Sequence, residues 1–242
     1  MKLSVVIPCY NERATVQTLL KRVASAPLPP AITGTEILLV DDCSTDGTRE
    51  ILRAIDADPA AEIGLLPNQT FQAIFLETNT GKGHALRRGF HEASGAIFLV
   101  QDADLEYSPE DYPLLLNPIV KGDADVVFGS RFIGLEHRVL YFHHYMVNKT
   151  LTFISNLLTN LNLTDMEACY KVFRADVLRR IPLVSDRFGF EPEVVAKVAR
   201  LRVRVFEVGI RYHGRTYEEG KKITWKDGIA ALWHIFRFNI FP

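Results

Sequence analysis

The stretch Leu99–Asp111, LVQDADLEYSPED, places five acidic side chains directly after an apolar run. That run, Ala96–Val100, is apolar throughout, which is typical of a strand buried on both faces of a sheet. Ser108 and Pro109 then mark the start of a helix, because serine is a preferred N-cap and proline is favoured at the first helical position. A buried strand that leads through a polar loop into a helix is the repeating unit of an α/β fold.

The same unit recurs along the chain. Apolar runs that predict strands lie at Leu3–Pro8, Glu36–Val40, Ala73–Leu76, Ala96–Val100 and Asp125–Phe128. Helical periodicity lies between them, at Ala14–Ala24, Thr48–Ala57, Ala85–Ala93 and Pro109–Val120. This alternation predicts an α/β fold with a Rossmann-like, mostly parallel sheet and helices on both faces. In such sheets ligands bind beyond the carboxyl ends of the strands, where the polar clusters of this sequence lie.

Beyond Arg131 the sequence changes character. It predicts an amphipathic aromatic stretch, two short helices and an alternating strand, at Val139–Leu161, Arg174–Arg180, Glu193–Arg200 and Arg202–Ile210. No Gly/Ser-rich linker, internal repeat or low-complexity tract interrupts the chain. We therefore predict a single domain over residues 1–222, followed by an amphipathic C-terminal helix over residues 223–242.

Composition excludes several classes of protein. The 242 residues carry 28 Lys+Arg against 29 Asp+Glu, so a net charge of −1 offers no field for nucleic acid, and we expect no such partner. Three widely separated cysteines, Cys9, Cys43 and Cys169, fit reduced thiols in a cytoplasmic protein. The N-terminal apolar stretch is too short for a signal peptide, and no run of about 18 apolar residues predicts a membrane span.

The acids of the opening stretch have two interpretations. Glu110 and Asp111 lie in a first helical turn, where negative charge is favourable. Asp102 and Asp104 lie at a strand end, where neighbouring carboxylates repel each other unless a cation lies between them. Mg²⁺ or Mn²⁺ is the natural cation for such oxygen ligands. A solvated loop is the alternative that two carboxylates alone leave open.

Six motifs occur along the chain in a fixed order: SVVIPCYNE, ILLVDDCSTDGT, NTGKGHALRRGF, FLVQDADLEY, VVFGSRF and GRTYEEGKK. Together they resemble the family 2 glycosyltransferases with a GT-A fold, and the match is closest to the dolichyl- or polyprenyl-phosphate sugar synthases. The resemblance runs from Lys2 to about Lys222. It implies a metal-dependent, inverting glycosyltransferase that moves a hexose from a nucleotide sugar, of the GDP-mannose or UDP-glucose type, to a polyprenyl or dolichyl phosphate.

The resemblance also assigns roles to individual positions. It implies nucleotide-sugar binding by Pro8, Tyr10, Asn11, Glu12, Val40, Asp42, Lys82, Asp102, Ala103, Asp104, Arg131, Arg215 and Lys221. It implies catalytic roles for Asp102, Asp104, Arg131, Asp165, Arg215 and Lys221. The implied ligands of the Mg²⁺ or Mn²⁺ cofactor are Asp102, Asp104 and Glu106. Glu106 stands where the family often has glutamine.

Several of these assignments have a structural alternative. Tyr10 could pack at the sheet edge, Asp42 could cap the following helix, and Arg131 could form a surface ion pair worth under about 1 kcal/mol. Asp165, which the resemblance places near the acceptor, could cap a loop. A solvated helix face is the alternative for the basic residues Lys82, Arg87 and Arg88.

The acceptor decides which chemistry the site needs. A sugar hydroxyl requires a general base, for which Asp165 and Glu191 are the candidates. A lipid phosphate already carries a nucleophilic oxyanion and needs positive neighbours instead, which suits Arg215, Lys221 and Lys222. We therefore expect a lipid phosphate acceptor. The alternatives are transfer to a saccharide hydroxyl in envelope-polysaccharide synthesis, and a non-catalytic nucleotide-sugar-binding subunit of a membrane partner.

The C-terminal stretch ITWKDGIAALWHIFRFNIFP is amphipathic. Its apolar residues recur at mostly helical spacing, at Trp225, Ile229, Leu232, Trp233, Phe236 and Ile240. Such a helix can lie in a membrane interface, dock on the core of its own protein, or bind a partner. With the aromatic stretch Val139–Leu161 as a second surface, we expect peripheral contact with the cytoplasmic face of a membrane.

Overall fold

The computed structural model describes residues 1–134, 136, 138–139, 141–187, 189–216, 218 and 225–241, without the side chains of Trp225 and Lys226. Within those residues the strands are β1 (Lys2–Cys9), β2 (Gly34–Asp41), β3 (Gln69–Phe75), β4 (Ile97–Val100), β5 (Val126–Ser130), β6 (Lys171–Arg174) and β7 (Val205–Gly209). The helices are α1 (Val16–Ala24), α2 (Thr48–Ala57), α3 (Pro59–Ile63), α4 (Lys82–Glu92), α5 (Tyr112–Val120), α6 (Phe142–Thr159), α7 (Ala175–Leu178), α8 (Phe190–Leu201) and α9 (Trp225–Ile240). A 3₁₀ turn, Pro109–Asp111, precedes α5.

The described strands form one mixed sheet in the order β3-β2-β1-β4-β6-β5-β7. Strands β1 to β5 each pair in parallel with a neighbour as predicted, and the parallel neighbour of β5 is β7. Strand β6 runs antiparallel between β4 and β5 and was not predicted. It is too short to show a period, and the predicted helix at Arg174–Arg180 is reduced to the single turn of α7. The mostly parallel α/β sheet is otherwise confirmed.

The central strands are covered on both faces. Every residue of β1 from Leu3 to Cys9 is buried, and so is every residue of β4 and β5. Because successive side chains of a strand point to opposite faces, this burial requires packing on each side of the sheet. The predicted helices therefore cover both faces of these central strands.

Two helix starts differ from their sequence signals. Helix α4 begins at Lys82, before the predicted Ala85, because the distant carboxylate of Asp42 accepts hydrogen bonds from the backbone N–H groups of Thr80 and Gly81, at 2.9 and 2.7 Å. Pro109 lies at the first position of its helical turn as predicted. The preceding serine, however, makes no side-chain cap hydrogen bond.

Helix α9 docks on the protein and also leaves an apolar stripe exposed. Ala231, Ile235 and Phe238 are buried where α9 packs against α6 and α8, while Ile229 and Trp233 are 59% and 61% exposed. One face of α9 therefore docks on the core of the protein, and the opposite face stays exposed. The predicted boundary between residues 222 and 223 lies outside the described residues. No helix within the described ranges is long and apolar enough to cross a bilayer.

The close packing of α4 on the sheet makes a testable prediction. A Cβ added to Gly89 would overlap Cγ1 of Val6 and lie 3.3 Å from Cγ2 of Val40, both in buried strands. We expect Gly89→Ala to destabilise the protein by about 1–2 kcal/mol in urea unfolding, because overpacking outweighs the gain in helix propensity. The matched control is Gly228→Ala in α9, where the new Cβ meets Val147 at an ordinary 3.6 Å.

Gly228→Ala should leave the free energy of unfolding unchanged or raise it by up to about 1 kcal/mol. Equal effects of the two substitutions would contradict the close approach of α4 to β1.

Candidate active site

The carboxyl ends of three parallel strands meet at one edge of the sheet. Pro8 of β1 lies opposite Val40 of β2, and the ends of β1 and β4 are likewise in register. The hydroxyl of Thr15 joins the loops that follow, because it donates to Oε2 of Glu12 at 2.7 Å and contacts the carbonyl oxygen of Ala103 at 3.0 Å. The loops after β1 and β4 therefore form the walls of one crevice, where α/β sheets bind ligands.

Lys82 enters this crevice between two glycines. A Cβ on Gly81, whose φ is +114°, would lie 2.6 Å from the carbonyl oxygen of Asp186, and one on Gly83 would overlap the carbonyl group of Ser185. Because neither glycine has a Cβ, the segment that precedes α8 packs directly on the start of α4. The sequence motif NTGKG thus lets α8 approach the lysine.

Lys82 bridges two carboxylates on different elements. Its Nζ lies 2.8 Å from Oδ1 of Asp102, after β4, and 2.9 Å from Oε1 of Glu191, in α8. Burial alone would lower the pKa of Lys82, but the two carboxylates outweigh it and hold that pKa well above its ordinary value. The lysine is therefore a fixed positive charge in the crevice. The alternative, that Lys82 lies on a solvated face of its helix, is excluded.

The acidic stretch after β4 also holds a late segment of the chain that begins at Arg211. The fully buried Asp111 accepts hydrogen bonds from the backbone N–H of Arg211 at 2.7 Å and from its Nη1 at 2.6 Å. Glu106 accepts from the hydroxyl of Tyr212 at 2.8 Å and from the backbone N–H of Arg215 at 2.9 Å. Asp111 lies in a first helical turn as predicted, and its buried carboxylate also anchors the late segment.

Arg215 is delivered by that segment into a group of three carboxylates. Its Nη2 lies 3.3 Å from Oε1 of Glu12 and 3.3 Å from Oδ2 of Asp104, and its Nε lies 3.7 Å from Oε1 of Glu106. Lys82 serves two further carboxylates, so five negative groups share two cations in this part of the described structure. Among the described residues, the carboxylates at this edge of the sheet therefore outnumber the cations that contact them.

The surroundings of Asp104 raise the pKa of its carboxyl group. Burial and repulsion from Asp102 and Glu106 raise the pKa of Asp104 to about 7, and Arg215 offsets only part of the rise. A divalent cation would remove the repulsion, and carboxylate oxygens are the ligands that Mg²⁺ and Mn²⁺ prefer. The donor set therefore fits such an ion, which Asp102 and Asp104 would hold.

The carboxylate of Glu106, the predicted third ligand, contacts protein groups in this structure. Both of its carboxylate oxygens bind the late segment, through Tyr212 and Arg215. Among the residues that the structure describes, no group of three histidine, cysteine, aspartate or glutamate side chains is arranged to hold a metal ion. Mg²⁺ typically takes one or two carboxylates and fills its other positions with phosphates and water, so two ligands suffice.

Arg131 forms a buried pair with Asp165. Its Nε and Nη2 lie 2.6 and 2.8 Å from the two carboxylate oxygens, and its backbone N–H donates to the same group at 3.0 Å. Although burial alone would raise it, the pKa of Asp165 lies below its ordinary value because of Arg131. The guanidinium also lies over the ring of Tyr212, 5.1 Å from its centroid. The predicted alternative of a weak surface ion pair is excluded.

The other residues implied in nucleotide binding lie in or just after β1, β2 and β4. Tyr10 is 40% exposed just beyond β1, whereas Pro8, Val40 and Ala103 are buried. The side chain of Asn11 accepts a hydrogen bond from the backbone N–H of Thr45 at 2.8 Å.

Asp42 is buried and uses both oxygens to hold the loop before Lys82. It therefore positions that loop, and the predicted cap of the following helix α2 is not the role it has.

The other predicted basic residues are Arg87, Arg88, Lys221 and Lys222. Arg87 binds the carbonyl oxygen of Ser185 and the carboxylate of Asp186, and Arg88 forms an i,i+4 pair with Glu92 at 3.0 Å. Those two arginines thus serve the protein's own surface. Lys221 and Lys222 lie outside the described residues.

Sequence reasoning missed several groups that the fold places beside the site. They are Gln101, Glu167, Lys171 and Tyr212, together with the ion pair that Glu191 forms. Gln101 accepts from the hydroxyls of two tyrosines in the core, at 2.9 and 2.7 Å. Only two of these groups had a local signal in the sequence. Gln101 directly precedes the acidic pair, and Glu167 lies two positions after Asp165.

Comparison with known proteins gives the family. The sequence profile described as "Glycosyl transferase family 2" matches residues 4–182. The chain belongs to this family of glycosyltransferases. The glycosyltransferase is 31% identical to an undecaprenyl-phosphate mannosyltransferase of Micrococcus luteus, over 99% of each chain. It is 30% identical to a dolichol-phosphate mannosyltransferase of Pyrococcus furiosus, over 98% of this chain and 63% of the relative.

A third relative, a dodecaprenyl-phosphate galacturonate synthase of Rhizobium johnstonii, is 27% identical over 91% of this chain and 62% of its own. The glycosyltransferase therefore spans less than two thirds of the Pyrococcus and Rhizobium relatives, but nearly all of the Micrococcus one.

Solved structures confirm the GT-A fold. The glucosyl-3-phosphoglycerate synthase of Mycobacterium tuberculosis, in complex with Mn²⁺, UDP and phosphoglyceric acid, superposes with a TM-score of 0.71. The match covers 100% of this glycosyltransferase and 79% of that chain at 17% identity. The same enzyme with Mg²⁺ and UDP gives a TM-score of 0.70 at 18% identity, over 100% and 80% of the two chains.

The buried pair of Arg131 and Asp165 makes a second testable prediction. We expect Asp165→Asn to lower the free energy of unfolding by about 3–5 kcal/mol in urea, because it leaves the guanidinium buried without its counter-charge. The control is Asp176→Asn, which breaks an exposed pair with Arg174 and should cost less than about 1 kcal/mol.

The pH dependence of that difference follows from the lowered pKa of Asp165. Asp165 stabilises the fold fully above its unfolded pKa of about 3.9, and this contribution is lost only as the pH falls through the lower folded value. The difference between wild type and Asp165→Asn should therefore be constant between about pH 5 and pH 8. A difference that vanished within this range would contradict the assigned pair.

Proposed function

We propose that this glycosyltransferase moves a hexose from a nucleotide sugar to the phosphate of a polyprenyl or dolichyl lipid, with a divalent metal ion and inversion at the anomeric carbon. Three relatives whose names specify a polyprenyl- or dolichol-phosphate acceptor support the acceptor class. The complexes of the structural neighbour with Mn²⁺ or Mg²⁺ and UDP support the metal and the nucleotide. GDP-mannose and UDP-glucose are the donor types that we infer.

One observation favours a phosphate acceptor over a hydroxyl. Both carboxylates that the sequence offered as general bases are ion-paired: Asp165 with Arg131, and Glu191 with Lys82. A base held by a cation is a poor proton acceptor, and the lowered pKa of Asp165 makes it poorer still. A phosphate monoester needs no base, because its oxygen is already an anion.

The cations suit phosphate groups on both substrates. Within the described residues, Nη1 of Arg131 has no hydrogen-bond acceptor, because Asp165 takes Nε and Nη2. That amino group would bind an acceptor oxygen, while Arg215 and Lys82 lie at the acidic pair on the donor side. At an effective dielectric of about 20, one such charge about 4 Å from an anion contributes about 4 kcal/mol.

The leaving group governs the donor side of the reaction. Negative charge grows on the departing nucleoside diphosphate as the anomeric carbon becomes electron-poor, and a bound divalent ion supplies Lewis-acid stabilisation of that charge. Asp102 and Asp104 would hold the ion, and Arg215 lies close enough to Asp104 to reach the same phosphates. Attack from the face opposite the leaving group inverts the anomeric configuration.

The third prediction is a direct assay of transfer. The full chain is incubated with Mn²⁺, undecaprenyl phosphate in detergent, and either GDP-mannose or UDP-glucose, and products are separated by mass spectrometry. We expect a sugar linked to the lipid phosphate, with release of the nucleoside diphosphate and the anomeric configuration opposite to that of the donor. Transfer only to a saccharide hydroxyl, or nucleotide binding with no turnover, would contradict the proposal.

Asp104→Ala tests the metal assignment in the same assay. Turnover should fall by at least about 10²–10³-fold, and Mn²⁺-dependent binding of the nucleoside diphosphate should be lost, while the melting temperature stays near that of wild type. Glu50→Gln, an exposed residue of α2, removes the same charge away from the crevice and should match wild type. Near-normal turnover of Asp104→Ala would contradict the assignment of Asp104 as a metal ligand.

The lipid acceptor requires contact with a membrane, and α6 and α9 offer the surface for it. Their outward apolar residues include Phe142, Phe153, Leu157, Ile229, Trp233 and Ile240, all more than half exposed. A groove of about 520 Å³ beside α9 is lined by apolar residues and by Arg180, Lys197, Arg200 and Arg237. Exposed apolar side chains on two packed helices suit a membrane interface, and we infer peripheral contact with its cytoplasmic face.

The fourth prediction is flotation with liposomes. Wild-type protein should float with vesicles that contain anionic phospholipid, and the double variant Ile229→Glu, Trp233→Glu should stay in the soluble fraction. Leu66→Glu, an equally exposed apolar residue before β3, is the control and should float like wild type. Wild-type protein that stayed entirely soluble would contradict membrane contact through these helices.

A further inference from the structure

Glu167 has an environment that none of the roles above explains. It lies between Asp165, which holds Arg131, and Lys171 at the start of β6. Its side chain is only partly exposed, and its Oε1 is buried with no hydrogen-bond partner in the described structure. A buried carboxylate oxygen without a partner is rare in a folded protein and favours the neutral form of the group.

The turn that carries Glu167 is held from both sides. The ammonium of the buried Lys171 donates to the carbonyl oxygen of Met166 at 3.1 Å and to that of Ala168, the two residues that flank Glu167. The backbone N–H of Met166 donates to the hydroxyl of Thr152 at 3.1 Å. Lys171 is thus engaged by the backbone, and Glu167 is presented on a rigid turn.

The charges that act on Glu167 come from three parts of the fold. Glu191 in α8 repels its carboxylate and Asp165 on its own turn does the same, whereas Lys171 in β6 and Arg131 after β5 attract it. Burial and then Glu191 are the largest influences, and they raise the pKa of Glu167 to about 7.

We propose that Glu167, as a neutral acid, donates a hydrogen bond to the phosphate of the lipid acceptor, from the turn whose Asp165 holds Arg131. The inference rests on the proposed function and adds a residue that selects for a phosphate acceptor. A neutral acid in this place offers an O–H to an anionic oxygen, whereas an ionised one would repel it. The O–H has no acceptor within the described residues, so the incoming phosphate supplies the missing partner.

The proposal distinguishes two roles of one carboxyl group. A general base must be ionised and must accept a proton from an acceptor hydroxyl, so glutamine in its place would abolish turnover. A hydrogen-bond donor must be neutral, and glutamine, whose amide is a permanent neutral donor, replaces it. Glu167→Gln therefore separates a phosphate acceptor from a hydroxyl acceptor at a single residue.

The fifth prediction is measured by calorimetric titration of the full chain with geranyl phosphate, in the presence of Mn²⁺ and, in parallel series, UDP or GDP. Wild type, Glu167→Gln and Glu167→Ala are compared at about pH 6 and about pH 8. Geranyl phosphate itself titrates in this range. The pH dependence of binding by Glu167→Gln therefore measures the effect of the ligand's own ionisation. The affinity of wild type relative to Glu167→Gln should fall about tenfold between the two pH values, as the neutral fraction of the acid falls.

Glu167→Ala supplies the second comparison. At about pH 6 it should bind geranyl phosphate at least about tenfold more weakly than wild type, because a hydrogen bond to a charged group is lost. Glu50→Gln is again the control and should keep the wild-type pH response. Far-ultraviolet circular dichroism confirms that each variant is folded, and the near-isosteric glutamine variant keeps the test decisive if the alanine variant unfolds.

Two results would overturn the inference while leaving the proposed function intact: a wild-type pH response equal to that of Glu167→Gln, or Glu167→Ala binding as tightly as wild type. Turnover of Glu167→Gln reduced at least about 100-fold with binding intact would make Glu167 a general base and contradict a phosphate acceptor. Failure of wild type to bind geranyl phosphate at either pH would remove the proposed function itself.

Discussion

Negative charge at the carboxyl end of β4 is the constraint on which the rest of this structure depends. Two carboxylates, Asp102 and Asp104, end a strand that is buried on both faces, and their mutual repulsion must be balanced. Lys82 reaches the first and Arg215 reaches the second, yet each cation also serves other carboxylates. Burial and the repulsion from Asp102 and Glu106 raise the pKa of Asp104 to about 7, and a divalent metal ion at the two aspartates would offset that repulsion.

Close packing and hydrogen bonds bring these groups together from distant parts of the chain. Two glycines beside Lys82 let α8 approach, so that Glu191 meets the lysine. Glu106 and Asp111, two acids of the same short stretch, hold the segment that carries Arg215. One acidic stretch therefore provides both the anionic site and the anchors of the cation that faces it, which links substrate binding to the integrity of the fold.

Sequence reasoning recovered what local patterns encode and lost what depends on distant pairing. Apolar runs gave the parallel strands, and helical periodicity gave α2 with its full range, Thr48–Ala57, because each pattern lies within one element. Strand β6 was missed because four residues, of which the first three are buried, are too few to show a period. The pairing of Arg131 with Asp165 joins residues 34 positions apart, and only the fold reveals it. Glu167 was missed because an acid two positions after Asp165 does not by itself indicate that its carboxyl is buried.

The central claim is that Asp102 and Asp104 face a common cation that also binds the donor diphosphate. The most direct measurement is a crystal structure of the full chain with Mn²⁺ and a nucleoside diphosphate, with anomalous scattering recorded at the manganese edge. The account predicts an anomalous peak bridged by Asp102, Asp104 and the diphosphate oxygens, with Glu106 still bound to Tyr212. A structure in which both aspartates point to bulk solvent, with no peak between them and the nucleotide bound elsewhere, would contradict it.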